Sequence, residues 1–159
     1  MPELRWRPLV ESDHEPVLAT LAAWSGGQDM HRLLPRFLFS HFSDTSLIVE
    51  DEGDNVLGFV IALRSQTHPE TGFIHVVWVR PDVRRTGLAA DLYARVFDLL
   101  RARGCRRVEA VTIPENAASL AFHERMGFTG EGGRLPHEAP VIAHHGGPGE
   151  HRVMLARAL

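Results

Sequence analysis

The stretch Val79-Arg-Pro-Asp-Val-Arg84-Arg-Thr-Gly87-Leu-Ala89 constrains the fold more than any other. It follows an apolar run, Phe73 to Val79, that stops at Pro81, and it precedes apolar residues at helical spacing: Leu88, Leu92, Val96, Leu99 and Leu100. The run is almost uninterruptedly apolar, so it reads as a central strand buried on both faces. The order is therefore strand, tight basic turn, helix start. Such a turn aims backbone N–H groups and the positive end of a helix dipole at one place, which suits phosphate. Gly87 lets an anion approach without a Cβ in the way, and Arg84 and Arg85 add charge. An ordinary strand-to-helix connection with a glycine fits the same residues.

Other phosphate-binding solutions are excluded. No Gly-x-Gly-x-x-Gly follows the strand, and the chain has no lysine, which removes the P-loop. Seventeen cations, all arginine, stand against 20 acidic residues, giving a net charge of −3. That leaves no bulk basic field for nucleic acid. A length of 159 residues with 44% hydrophobic content is expected to form a single domain, 1–159, with its own core. One cysteine, Cys105, cannot make an internal disulfide, which suits a reducing compartment. The first residues have no apolar signal core, and no stretch approaches the ~20 apolar residues of a membrane helix. The expected location is the cytoplasm, with no membrane partner.

Before the apolar run, Leu4 to Val10 alternates and reads as a strand, and Ser12 or Asp13 caps a helix carrying Val17, Leu18, Leu21, Ala22 and Trp24. Gly26-Gly27 ends it. Pro35 opens a second helix with Phe37, Leu38, Phe39 and Phe42. Trp24, Phe37, Phe39 and Phe42 are expected to be mostly core. Thr45 to Glu50 and Val56 to Leu63 form a hairpin around Asp51–Asn55. Gly58 there marks a bulge or a close approach. After the central helix, Gly104 is a stop, Val108 to Ile113 a strand, and Asn116 to Arg125 a short helix ended by Gly127. The Gly-, Pro- and His-rich segment 130–149 is a long excursion before a last strand, Val153 to Ala158.

Taken with Asn116-Ala-Ala-Ser119-Leu-Ala-Phe122-His123-Glu-Arg-Met-Gly127-Phe128, the turn resembles the GNAT superfamily of acyl-CoA-dependent N-acetyltransferases. In that family an Arg/Gln-x-x-Gly-x-Gly/Ala turn holds the cofactor pyrophosphate, and an Asn-x-x-Ala/Ser-x-x-Phe/Leu-Tyr-Glu-Arg/Lys-x-Gly-Phe helix closes over its thiol end. Both motifs occur here in the right order. The resemblance departs at His123, where the family has tyrosine. It implies an α/β (α+β) single-domain GNAT fold: a central, mixed, mostly antiparallel twisted sheet of six to seven strands flanked by about four helices.

The resemblance also implies acetyl-CoA as cosubstrate, a primary amine of a small molecule as acceptor, and direct attack. Arg84, Arg85, Thr86, Gly87, Leu88 and Ala89 would then grip the pyrophosphate. Asn116, Ser119 and Phe122 lie on the helix over the cofactor arm, although Asn116 also fits a plain helix cap. Val77 and Val79 stand where the family polarises the thioester carbonyl with backbone N–H groups. His75 shares a face with Phe73, Val77 and Val79. It is a candidate base for the ammonium acceptor, or a hydrogen-bonded core histidine. Glu50 and Glu109 on neighbouring strands are alternative bases. His123 is a candidate acid for the departing thiolate, or a spacer.

His137, His144, His145 and His151 match no zinc signature, so no metal is expected. This loop and Gln66–Glu70 are candidate acceptor contacts, and the resemblance implies that one or two of Trp24, Phe37, Phe39 and Phe42 line the acceptor cleft. Two further readings stay open: acetylation of a protein or peptide, and a non-catalytic acyl-CoA sensor. A homodimer is the assembly expected for so small a domain.

Overall fold

The computed structural model describes residues 3–27 and 29–159. Seven strands follow the order β1-β2-β3-β4-β5-β7-β6, with four α-helices among the described residues. The strands are β1 (Arg5–Pro8), β2 (Leu47–Glu50), β3 (Val56–Arg64), β4 (Thr71–Val79), β5 (Arg107–Thr112), β6 (Thr129–Gly130) and β7 (Val153–Ala158). The helices are α1 (His14–Trp24), α2 (Phe37–His41), α3 (Leu88–Ala102) and α4 (Ala117–Arg125). The pairing is mixed, with β1–β2, β2–β3, β5–β7 and β6–β7 antiparallel and β4–β5 parallel. The expected α/β architecture is present.

By contacts the chain forms two compact units, and β4 runs from one into the other. The first comprises Met1–Leu63 and Val76–Leu100. One layer of its core is α1 and α2 against the sheet: Val17, Leu18 and Leu21 pack with Leu38, Phe39, Ile48, Phe59 and Ile61. The other layer is α3, whose Leu92, Tyr93, Val96, Phe97 and Leu100 are buried. Leu57 and Phe59–Ala62 of β3 are each no more than 5% exposed and Gly58 is buried, so β3 is buried on both faces. That was the expectation for β4. Instead Phe73 and His75–Trp78 stay half-buried, and only Gly72, Ile74 and Val79 are buried in β4.

Gly58 is both a bulge partner and a close approach. The β2–β3 register slips between Val49 and Glu50, and a Cβ on Gly58 would stand 2.9 Å from the Trp78 carbonyl oxygen. The α1 cap differs from expectation. Asp13 makes no side-chain cap bond to the helix; its Oδ2 accepts the Val10 N–H at 2.8 Å, closing a 3-10 turn, Glu11–Asp13, that shortens β1. Phe37 is 55% exposed and so is not a core residue, because α2 is a five-residue helix with room to bury only Leu38 and Phe39. The Asp51–Asn55 turn forms as read, with Asp51 Oδ1 accepting from the N–H groups of Gly53 and Asn55.

The second unit comprises Arg64–His75 and Arg101–Leu159. Its ladder is the first half of β4, then β5, β7 and β6. Val108, Ala110, Leu120, Phe128, Val153 and Leu155 are buried in it. The segment 130–149 carries two 3-10 turns and an antiparallel bridge between Ile142 and Arg152. Among the described residues no helix is long and apolar enough to cross a membrane.

Candidate active site

Backbone geometry builds the turn after β4. Arg80 N–H donates to the Leu57 carbonyl, and its guanidinium is held by Asp82 at 2.6 and 2.9 Å. The chain then makes a 3-10 turn, Pro81–Val83, and Arg84 folds back to donate from Nε to the Val79 carbonyl at 3.2 Å. Thr86 Oγ1 donates to the Val83 carbonyl at 2.7 Å. Two residues reach the left-handed region, Arg85 at φ 63° and Gly87 at φ 93°. These bends turn the chain into α3 within four residues.

The consequence is a set of open donors. The first turn of a helix leaves its N–H groups without intrahelical partners. Asp91 N–H is the first to return, to the Gly87 carbonyl at 3.0 Å. Among the described residues, no acceptor takes the N–H groups of Arg85, Thr86, Gly87, Leu88 or Ala89. A Cβ on Gly87 would meet nothing within 4 Å, so the space above the turn is clear. Leu88 is buried, so only its backbone can serve an anion, whereas Arg84, Arg85 and Thr86 are exposed.

On β4, the parallel ladder with β5 is four residues long, Thr71–Ile74 against Arg107–Ala110, and stops one residue short of His75. Val77 is half-buried like His75. The alternative base Glu50 is ruled out by its partners. Its carboxylate takes Arg5 and Arg7 Nη2, each at 2.7 Å, and Arg7 also grips Asp13 at 2.8 Å. The Arg7 hydrogen bonds hold the Glu50 carboxyl below the usual range, which leaves it a fixed counter-ion. Glu109 pairs with Arg107 at 3.1 Å and lines a shallow cavity of about 470 Å³ with Thr67–Thr71. That cavity is at the first residue of β4, about 13 Å of extended strand from His75. Residues Thr67–Glu70 of the Gln66–Glu70 loop line this cavity.

On α4, Asn116 caps the helix, its Oδ1 accepting the Ser119 N–H at 3.0 Å. His123, one turn on, is 5% exposed. Its ring lies edge-on to Phe128 at 5.0 Å and to Phe122 at 5.5 Å. Nδ1 is 2.8 Å from the Ser119 carbonyl oxygen, and a carbonyl can only accept, so Nδ1 carries the proton. Burial lowers the pKa of the ring, partly offset by that bond. Ser119 and Phe122 are both half-buried. The chain's one tyrosine, Tyr93, is no substitute for the missing family tyrosine, because it is 1% exposed inside α3 and burial drives its phenol pKa upward.

Val77, Val79 and Arg84–Ala89 therefore belong to the first unit, and His75, Asn116, Ser119, Phe122 and His123 to the second. Sequence reasoning missed a cavity of about 280 Å³ along α1, floored by Leu18, Ala22 and Met30 and edged by Glu15, Asp29 and His31. Its only sequence signal was the Gly26-Gly27 break, which frees residues 29–31 to return to the helix. In the histidine-rich loop, His137 Nδ1 approaches Glu124 of α4 at 3.4 Å. His144 Nδ1 accepts the Gly149 N–H, His151 Nδ1 accepts the His144 N–H, and the two rings lie 4.8 Å apart.

The family model described as "Acetyltransferase (GNAT) family" matches residues 3–128. A mycothiol acetyltransferase of Beutenbergia cavernae is 41% identical over 88 residues, 54% of this chain and 29% of that protein. An L-2,4-diaminobutyric acid acetyltransferase of Shouchella clausii is 33% identical over 86 residues, 54% of this chain and 48% of that one. These matches span less than half of either relative. Among solved structures, the diaminobutyrate acetyltransferase of Paenibacillus lautus, in complex with L-2,4-diaminobutyric acid and coenzyme A, superimposes with a TM-score of 0.68 at 28% identity, over 98% of this chain and 95% of that one.

Proposed function

Because the chain belongs to the GNAT acetyltransferase family, we propose that it transfers an acetyl group from acetyl-CoA to a primary amine of a small molecule by direct attack. The observation that carries this reading is the open set of N–H donors over Arg85–Ala89 at the start of α3. A pyrophosphate there would satisfy donors that the fold leaves unused, with Arg84 and Arg85 supplying charge. Small amines are favoured as acceptors because the relatives above are named for small-molecule substrates.

The chemistry divides among few residues. Backbone N–H groups of β4 near Val77 and Val79, beyond the end of the β5 ladder, polarise the thioester carbonyl. His75 removes the proton that keeps the acceptor an ammonium ion. Asn116, Ser119 and Phe122 line the cofactor arm on α4, with His123 at its thiol end. The same reading makes residues 1–159 one cytoplasmic domain, assembled as a homodimer, with no metal, nucleic-acid or membrane partner.

The test is CoA release from acetyl-CoA across amino acids, diamines, aminoglycosides and short peptides. Release with one class of small amine is expected. Release with peptides alone would move the acceptor to protein, and absence of acetyl-CoA binding by calorimetry would sink the reading. Given turnover, His75→Ala is expected to lower kcat by about 10²–10⁴, the usual worth of a general base.

A further inference from the structure

We propose that residues 142–152 form a latch released by acid: the hairpin stays closed only while His144 and His151 are both neutral, and it opens when they take up protons. The main chain fixes the protonation state. A backbone N–H can only donate, so a ring nitrogen that receives one must present a lone pair. His144 Nδ1 receives the Gly149 N–H at 2.9 Å, and His151 Nδ1 receives the His144 N–H at 3.1 Å. Each ring is therefore neutral, with its one proton on Nε2. In that form neither ring has a lone pair left for a metal. An imidazolium carries a proton on both nitrogens, so protonating either ring sets N–H against N–H and breaks its bond.

The two bonds act together. His144 accepts through its ring and donates through its main chain, so it is a link in both. The rings lie 4.8 Å apart, where two positive charges would repel. Little apolar burial helps the hairpin, since residues 143–146 and 148–150 are exposed. It also needs left-handed backbone at His144, φ 56°, and at Gly149, φ 77°. The other ties are the Ile142–Arg152 bridge and three main-chain bonds: Gly146 N–H to the Glu150 carbonyl at 3.0 Å, Gly147 N–H to the His144 carbonyl at 3.1 Å, and Glu150 N–H to the Gly147 carbonyl at 2.9 Å.

The neighbouring charges do not supply the same response. Within the hairpin, Glu150 Oε2 pairs with Arg152 Nη2 at 3.2 Å, and carboxylates titrate at lower pH than imidazole. His145 is exposed and makes neither of the two ring bonds. From α4, Glu124 reaches the excursion at His137 Nδ1, 3.4 Å away, and Glu138 stands 3.8 Å from His137 Nε2. The sign follows from the tautomers. The latch is closed above the ordinary imidazole value of about 6.5 and is lost as pH falls through it. Each ring that must be neutral lowers the closed-to-open ratio tenfold per pH unit below that value, so two rings lower it by about a hundredfold.

The experiment is NMR of the full chain between about pH 8 and pH 5, a window that spans the imidazole range. It needs no turnover, so the latch and the acetyltransferase reading can fail separately. At the alkaline end, nitrogen-15 spectra of labelled histidine are expected to show Nε2 protonated and Nδ1 bare in both His144 and His151. A proton on either Nδ1 there overturns the proposal. As pH falls, the amide signals of Ile142, His144 and Gly149 should leave their hydrogen-bonded positions together. Signals that stay in place while the two rings take up protons also overturn it. The control is the double variant His144→Asn, His151→Asn. The asparagine Oδ1 accepts the same N–H without titrating, and asparagine tolerates the left-handed backbone of position 144. Its amide signals should hold still across the window; a wild-type response would assign the transition to another group and sink the latch. If the double variant does not fold, the wild-type titration decides.

Discussion

Helices α3 and α4 begin with the same physical problem and solve it in opposite ways. Each starts with N–H groups that no residue of its own helix can satisfy. At α4 the protein answers internally: Asn116 Oδ1 takes the Ser119 N–H, as a helix cap does. At α3 the preceding residue is Gly87, which has no side chain to offer, and the N–H groups from Arg85 to Ala89 meet no acceptor among the described residues. One end is closed for stability and the other is left open. An uncapped start on a 15-residue helix is a cost in the free protein that an anion on its open donors would relieve. α1 is a third case, since its Asp13 is spent on the preceding turn and on Arg7.

The largest test of this contrast is Gly87→Val. A β-branched residue at φ 93° is strained, and its side chain would enter the clear space above the turn. Strain of about 1–3 kcal/mol is expected, with acetyl-CoA affinity falling by tenfold or more by calorimetry. Unchanged affinity would mean that the open donors do not hold the pyrophosphate. Next is Asn116→Ala, which should cost about 1 kcal/mol of stability by urea unfolding, with Asn116→Ser restoring most of it. If Asn116→Ala instead weakens acetyl-CoA binding with little change in stability, α4 is not merely closed, and the contrast breaks.

The smallest effect concerns α1 and is read by pH. Burial pushes the Asp13 carboxyl up, but the Arg7 hydrogen bonds and the Val10 N–H outweigh it, so its pKa in the folded protein is lowered. Glu50 is lowered too, chiefly by Arg7. Carboxyls held below their unfolded values contribute stability that is complete above the ordinary 3.8 and 4.5, and that is lost as pH falls through the folded values. Urea midpoints should therefore decline as pH is lowered past about 4.5, and Arg7→Met should flatten that decline. A decline of equal steepness in Arg7→Met would remove the ion pairs from the explanation.

Much of this was legible in the residues because it was local. The Arg84–Ala89 turn, the Asn116 cap, the Asp51 turn and the Gly58 irregularity all depend on neighbours within a few positions, where glycine and short polar side chains have distinct preferences. The misses are tertiary. β3 rather than β4 is buried on both faces, because α1–α2 and α3 sandwich it, and hydropathy along a strand does not reveal what covers it. Glu50 read as a free base because its partners, Arg5 and Arg7, are more than 40 residues away in sequence. The proton on His123 depends on a carbonyl one turn back, which only the closed helix brings to 2.8 Å.

The division of the chain into two units also sorts its chromophores. Trp6, Trp24, Trp78 and the sole tyrosine, Tyr93, all fall within Met1–Leu63 and Val76–Leu100, with Trp6 stacked under Arg95 at 4.0 Å. Arg64–His75 and Arg101–Leu159 hold neither residue type. Intrinsic fluorescence and near-ultraviolet absorbance are therefore optical reporters of the unit that carries the α3 turn, and are dark to the unit that carries His123. A tryptophan melt that runs ahead of, or behind, the loss of helical circular dichroism reads the dark unit by difference, with no label attached.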